Sequence, residues 1–126
     1  MYLLLAIGIG GFIGAIMRYA IGGLIQKGFL SFPFGTLVVN FLGSFFLSLI
    51  MYLSRSRIYL NEEMKLFITV GILGAFTTMS TFSYESFRLL EQDKIVMFSV
   101  NVIGTVFLTM LAIYLGRFVA TSSWRI

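Results

Sequence analysis

The stretch GAFTTMSTFSYES, Gly74 to Ser86, follows LFITVGIL (Leu66–Leu73) and precedes a further long apolar segment that opens at Ile95. Both flanks read as hydrocarbon-soluble, yet the seven residues from Thr77 to Ser83 carry five hydroxyls around Met79 and Phe82. Ser and Thr side chains compete with the helical ladder for backbone groups, and Gly71 and Gly74 stand just before them. Non-helical backbone at membrane depth is tolerated where it is buried in protein or lines water. The stretch therefore predicts a third helix broken mid-membrane, with carbonyls and amides released near the bilayer centre. Two such breaks meeting on the axis of an antiparallel dimer would present carbonyls to a cation. A continuous helix whose hydroxyls bond back to the preceding turn is the alternative, and both fit the residues.

The rest of the chain makes a membrane setting necessary. Of 126 residues, 59% are hydrophobic and 11% charged, whereas a soluble domain carries about a quarter charged residues. One small core could not hide so much apolar surface. Without Cys or His, disulfides, thiol nucleophiles, zinc sites and imidazole acid–base chemistry drop out. Nine Lys and Arg against five acids give +4, but they are dispersed. They form neither a nucleic-acid patch nor a polybasic lipid tether. The start, MYLLLAIGIGGFIGAIM, lacks a basic n-region and a clear cleavage site, so it reads as a retained first span.

A span needs about 20 mostly apolar residues. Four qualify, at about 2–25, 32–53, 66–87 and 95–119, making residues 1–126 a single four-span membrane domain. QKGFLSF, SRSRIYLNEEMK and RLLEQDK connect them. Pro33 suits the opening of the second span, and Trp124 with Arg125 in the tail suits the interface. Lys and Arg normally mark the cytoplasmic side. Here Arg55, Arg57, Lys65, Arg117 and Arg125 fall on one side, and Arg18, Lys27, Arg88 and Lys94 on the other. Five against four is almost no bias. It fits either insertion both ways, with pairing as an antiparallel homodimer, or one topology fixed by the SRSR loop.

The polar groups recur at four-residue steps, which keep to one side of a helix. Ala6, Gly10, Gly14, Arg18 and Gly22 form such a stripe in the first span. Thr36, Asn40, Ser44 and Ser48 form one in the second, and Asn101, Thr105 and Thr109 one in the fourth. Arg18 on its stripe either faces protein or snorkels to the interface. Each polar stripe alone reads as interhelical glue; two of them beside a hydroxyl-rich third span read as a polar track. Its groups are mainly hydroxyls, amides and one guanidinium. Carboxylates are nearly absent from the spans, with only Glu85 close to membrane depth. Anion pores use donors and positive residues, cation pores acidic rings or carbonyls, so the balance favours a small anion moving passively. Phe82 either packs or turns the positive edge of its ring to the anion.

Four motifs in order, GGFIGAIMRY (Gly10–Tyr19), FPFGTLVVNFLGSF (Phe32–Phe45), GILGAFTTMSTFSYE (Gly71–Glu85) and NVIGTVFL (Asn101–Leu108), resemble the small dual-topology fluoride channels called Fluc or CrcB. The resemblance covers nearly the whole chain. It implies an antiparallel homodimer with two fluoride pathways and a central structural sodium ion. On that pattern Asn40 donates to fluoride, Thr36 neighbours it, and Arg18 supplies positive potential near a vestibule. Thr105 and Thr109, with Asn101, form a track on the fourth span, and Ser80 joins the pathway beside Phe82. The carbonyls of Gly74 and Thr77 hold sodium from both subunits. The family usually has two Phe in TTFSTFS; here the first is Met79, a softer thioether without a ring edge, which implies a working pore with altered conduction or fluoride affinity.

The function implied is passive, selective export of fluoride across the inner (plasma) membrane, without enzymatic chemistry. An inside-negative potential would drive the anion out at about 2.3 kcal/mol per 100 mV. The alternatives are a proton-coupled four-span exporter, which relies on a Glu that this first span lacks, and a non-transporting membrane subunit whose stripes are only glue.

Overall fold

The computed structural model describes residues 1–122, and every regular element among them is helical. Four long helical stretches are apolar enough to cross a membrane: Tyr2–Gln26, Phe34–Ser56, Glu62–Glu91 and Ile95–Ser122. We call the first two α1 and α2 and the last α6. The third is composite: α3 (Glu62–Leu66), a π-helical run (Phe67–Leu73), α4 (Gly74–Phe76) and α5 (Met79–Glu91). Trp124 and Arg125 lie outside the described residues.

Local chemistry sets the ends of these helices. α2 opens directly after Pro33, whose missing N–H costs nothing there, and Gln26 Oε1 accepts the first-turn Gly35 N–H at 2.9 Å. The third stretch begins before the apolar run at Leu66 because Asn61 caps it. Asn61 Oδ1 accepts the Met64 N–H at 2.8 Å, and Glu62 and Glu63 sit in the first turn, where the helix dipole favours acids. α5 ends where Asp93 takes a φ of 57°, a conformation that Asp tolerates better than most residues. The Lys94 N–H then bonds Leu89 O at 2.9 Å, which closes the helix before α6.

In α1 and α6 the packing puts small and polar residues inside and large apolar ones outside. α1 buries only Gly10 and Gly14, while Leu4, Ile9, Phe12 and Ile16 are exposed. α6 buries Asn101, Thr105, Ala112, Gly116 and Ala120 and exposes Ile103, Phe107, Met110 and Tyr114. Lipid tails reward no segregation of apolar side chains inward, so close backbone approach drives the association. Gly10 meets the π-helical run: a Cβ there would stand 2.5 Å from Phe67 O and 3.0 Å from Gly71 Cα. Gly116 brings α6 onto α2, where a Cβ would stand 2.5 Å from Phe45 O; nearby, Ser48 Oγ donates to Ile113 O at 2.6 Å.

Candidate ion pathway

Between α4 and α5 the backbone leaves the helix for two residues. Thr77 has φ −81° and ψ 155°, and Thr78 has φ −149° and ψ 120°, both extended. The Thr78 hydroxyl accepts the Thr81 N–H at 3.1 Å, the usual N-cap bond, and so restarts the helix. Gly43 on α2 makes room for the interruption, since a Cβ there would collide with Thr77 Cγ2.

Every backbone group released from the ladder needs a partner or water. Asn40 serves Thr78 twice: Thr78 N–H donates to Oδ1 at 2.8 Å, and Nδ2 donates to Thr78 O at 3.1 Å. Arg18 Nε donates to Ala75 O at 3.0 Å, so the guanidinium turns toward protein at the end of α4. Carbonyls at the break lose their helical donors, those of Gly74 and Thr77 among them. The residue four beyond Gly74 is Thr78, whose N–H goes to Asn40. The residue four beyond Thr77 is Thr81, whose N–H goes to the Thr78 hydroxyl.

Asn40, Ser44, Gly74, Thr77, Thr78, Met79, Phe82, Thr105 and Thr109 line a cavity of about 320 Å³ beside the interruption, together with Gly43, Leu47, Thr69, Leu73 and Val106. No charged residue is among them. Phe82 is buried at 8% exposure, whereas Met79 is 74% exposed; the two side chains one turn apart thus sit in different surroundings. Thr36 and Arg18 line a separate cavity of about 260 Å³ with Glu85, and Thr78 borders both cavities. Thr36 Oγ1 donates to Glu85 Oε1 at 3.0 Å, and Glu85 Oε2 is buried without a partner.

Two of the expected pathway residues line neither cavity. Ser80 is exposed at the start of α5, with its hydroxyl 3.3 Å from that of Thr78. Asn101, 2% exposed, donates to Ser86 Oγ at 2.9 Å and accepts from Thr105 Oγ1 at 3.4 Å. It ties α5 to α6. Three further residues were not singled out from the sequence: Thr78, Ser86 and Gln26. Gln26 Nε2 donates to Phe29 O at 2.8 Å and to Phe32 O at 3.0 Å, holding the loop between α1 and α2. Its place just after the first apolar run and before Pro33 was the available signal. The Thr78 and Ser86 partnerships span 38 and 15 positions and left no local trace.

Known proteins resemble this chain along nearly its whole length. The family profile described as "CrcB-like protein, Camphor Resistance (CrcB)" matches residues 5–117. A protein of Methanosarcina barkeri named "Fluoride-specific ion channel FluC 3" is 56% identical over 120 residues, covering 95% of this chain and 91% of that one. "Fluoride-specific ion channel FluC 1" of Methanosarcina acetivorans is 56% identical over 117 residues, 93% and 89% of the two chains. "Fluoride-specific ion channel FluC" of Methanococcus vannielii is 48% identical over 118 residues, 94% and 95% of the two chains.

Proposed function

This chain belongs to the CrcB family, and from that premise we propose that it is a passive fluoride channel, a multi-pass membrane protein rather than an enzyme. The observation that carries the reading is the uncharged cavity at the interruption, where Asn40, Phe82, Thr105 and Thr109 meet. A cation path would call for acidic rings or a cage of carbonyls along its length, and this lining holds no carboxylate.

The remaining features form one scheme. The interruption at Thr77 and Thr78 is a mid-membrane break in the third span. Two chains pair antiparallel and give two pathways. The near-even split of Lys and Arg between the two sides supports insertion in both directions. Gly74 is exposed in the single chain, and its carbonyl has lost its helical donor. Such a group facing lipid costs several kcal/mol, roughly, so a partner surface or an ion should cover it. The released carbonyls of Gly74 and Thr77 are hard oxygen donors, a chemistry that suits sodium, and they would hold it between two chains. Sodium there would neutralise the carbonyl dipoles and tie the two breaks together.

On this scheme Arg18 and the Thr36–Glu85 pair stand near the mouth, and Asn40 donates to fluoride. Thr105 and Thr109 continue the path, with Phe82 at its wall and Met79 one turn away at its exposed side. Hydrogen fluoride crosses membranes neutral and ionises in a less acidic cytoplasm, which traps the anion. A passive pore in the plasma membrane then lets the potential expel it, at about 2.3 kcal/mol per 100 mV.

The test is fluoride efflux from liposomes holding the purified protein, with potassium inside and valinomycin to release the charge block. Fluoride loss that depends on valinomycin and far outpaces chloride loss is the expected result. Absence of flux from a well-folded protein, in the chain as it stands and with Met79→Phe, would sink the reading.

A further inference from the structure

Three of the hydroxyls around the uncharged cavity aim their hydrogens away from any anion. Thr69 Oγ1 donates to Lys65 O at 2.7 Å, Thr77 Oγ1 to Leu73 O at 3.1 Å, and Thr109 Oγ1 to Thr105 O at 2.7 Å. What these oxygens offer the cavity is lone pairs. To serve an anion each must rotate and abandon a carbonyl.

Asn40 differs. A carboxamide has two N–H donors and one acceptor oxygen. Thr78 N–H occupies the oxygen at 2.8 Å, and Thr78 O occupies one donor at 3.1 Å. The group is planar, so the second N–H, about 120° from the first, points away from the Thr78 main chain. Asn40 borders the cavity and is only 8% exposed. The pairing depends on the extended backbone at Thr78: in a strand-like residue N–H and C=O point to the same side, whereas a helix would consume both in its ladder.

We propose that the Thr78 main chain is a positioning element for conduction: by pairing with both halves of the Asn40 carboxamide it locks that group against a flip, so that the cavity meets an N–H and never Oδ1. A flipped amide would face oxygen with oxygen and N–H with N–H at Thr78, two repulsive pairs. It would also show the permeating anion an oxygen. The interruption of the helix thus has a purpose beyond making space, because it creates the two-point partner that orients the donor. The geometry stands by itself, and its consequence for conduction rests on the fluoride-channel reading.

The experiment replaces Thr78 of the full chain by the corresponding α-hydroxy acid, so that an ester oxygen takes the place of the N–H while the hydroxyl that caps Thr81 is kept. Fluoride and chloride fluxes are compared in liposomes, with an ester at the exposed Ser83 as control. In parallel, hydrogen exchange of the two Asn40 side-chain protons is followed by NMR in the unaltered chain. The expected result is a roughly tenfold loss of fluoride flux and a lower fluoride-to-chloride ratio for the ester at 78, neither change for the ester at 83, and one protected Asn40 proton beside one that shifts with added fluoride. Unchanged flux and ratio in the position 78 ester, or two Asn40 protons that exchange alike, would overturn the lock. If the unaltered chain carries no fluoride while one Asn40 proton is protected, the channel reading fails and the lock stands. The exchange measurement needs no variant, so failure of the ester chain to assemble leaves the proposal decidable.

Discussion

Gly10→Ala tests whether backbone contact between α1 and the third span sets the position of Arg18. The added Cβ would lie 2.5 Å from Phe67 O, with Gly71 Cα at 3.0 Å and Ile72 N at 3.1 Å. All three neighbours are backbone, so none can swing aside. A carbon–oxygen contact settles near about 3.3 Å, and α1 must therefore retreat by about 0.8 Å from its 2.5 Å contact. Arg18 stands two turns further along the same helix, about 12 Å away. The retreat would stretch its 3.0 Å bond to Ala75 O beyond the usual limit of about 3.2 Å. Losing a charged donor bond costs about 1.5–3 kcal/mol and overpacking about 1–3 kcal/mol, while alanine returns about 1 kcal/mol of helix propensity. The net is a destabilisation of about 1.5–5 kcal/mol. Gly8→Ala and Gly11→Ala, whose added Cβ would meet nothing within 4 Å, serve as controls. They should be neutral or gain up to about 1 kcal/mol. The assay is SDS titration in mixed micelles followed by circular dichroism, with fluoride efflux measured on the folded fraction. A Gly10→Ala midpoint equal to that of Gly8→Ala would refute the reasoning.

Asn40→Ala leaves Thr78 N–H and Thr78 O without their partners; at about 1–3 kcal/mol for each stranded group, the SDS midpoint should fall by more than for any other single truncation beside the cavity. Asn101→Ala removes a 2%-exposed side chain and its bond to Ser86, a loss of about 2–4 kcal/mol, read as a lower midpoint. Gln26→Ala breaks three bonds that hold the α1–α2 loop and the start of α2; a loss of about 1–3 kcal/mol is expected, with faster amide exchange at Gly35. Met79→Phe, at a 74%-exposed position, should change stability by no more than about 0.5 kcal/mol while raising the apparent fluoride affinity in efflux assays. Unchanged affinity there would remove position 79 from the pathway.

Sequence reading reached the four spans because apolar length is a local property, and Arg18 and the stripes because four-residue spacing maps directly onto one helix side. The structure adds to that reading at the margins. Apolar length gives a third span of about 66–87, and the helix that contains it runs Glu62–Glu91, because Asn61 capping and the acids of the first turn extend it beyond the apolar run. The step from Asn101 to Thr105 puts both on one helix side, where Thr105 Oγ1 donates to Asn101 Oδ1, but spacing does not say which neighbour the amide's own donor meets, and Ser86 takes it.

By itself the sequence determined that the chain is a multi-pass membrane protein, has four stretches long and apolar enough to cross a bilayer, keeps carboxylates almost entirely out of their apolar runs, and carries the motifs of a fluoride-channel family. Those follow from composition, period and ordered motifs, which survive without coordinates. Tertiary structure alone decided where each donor is spent. It pairs Asn40 with Thr78, Arg18 with Ala75 and Thr36 with Glu85, and it turns the hydroxyls of Thr69, Thr77 and Thr109 back to their own helices. The physical reason is that a hydrogen bond depends on direction within a few tenths of an ångström, and helices far apart in the chain set that direction only when they pack.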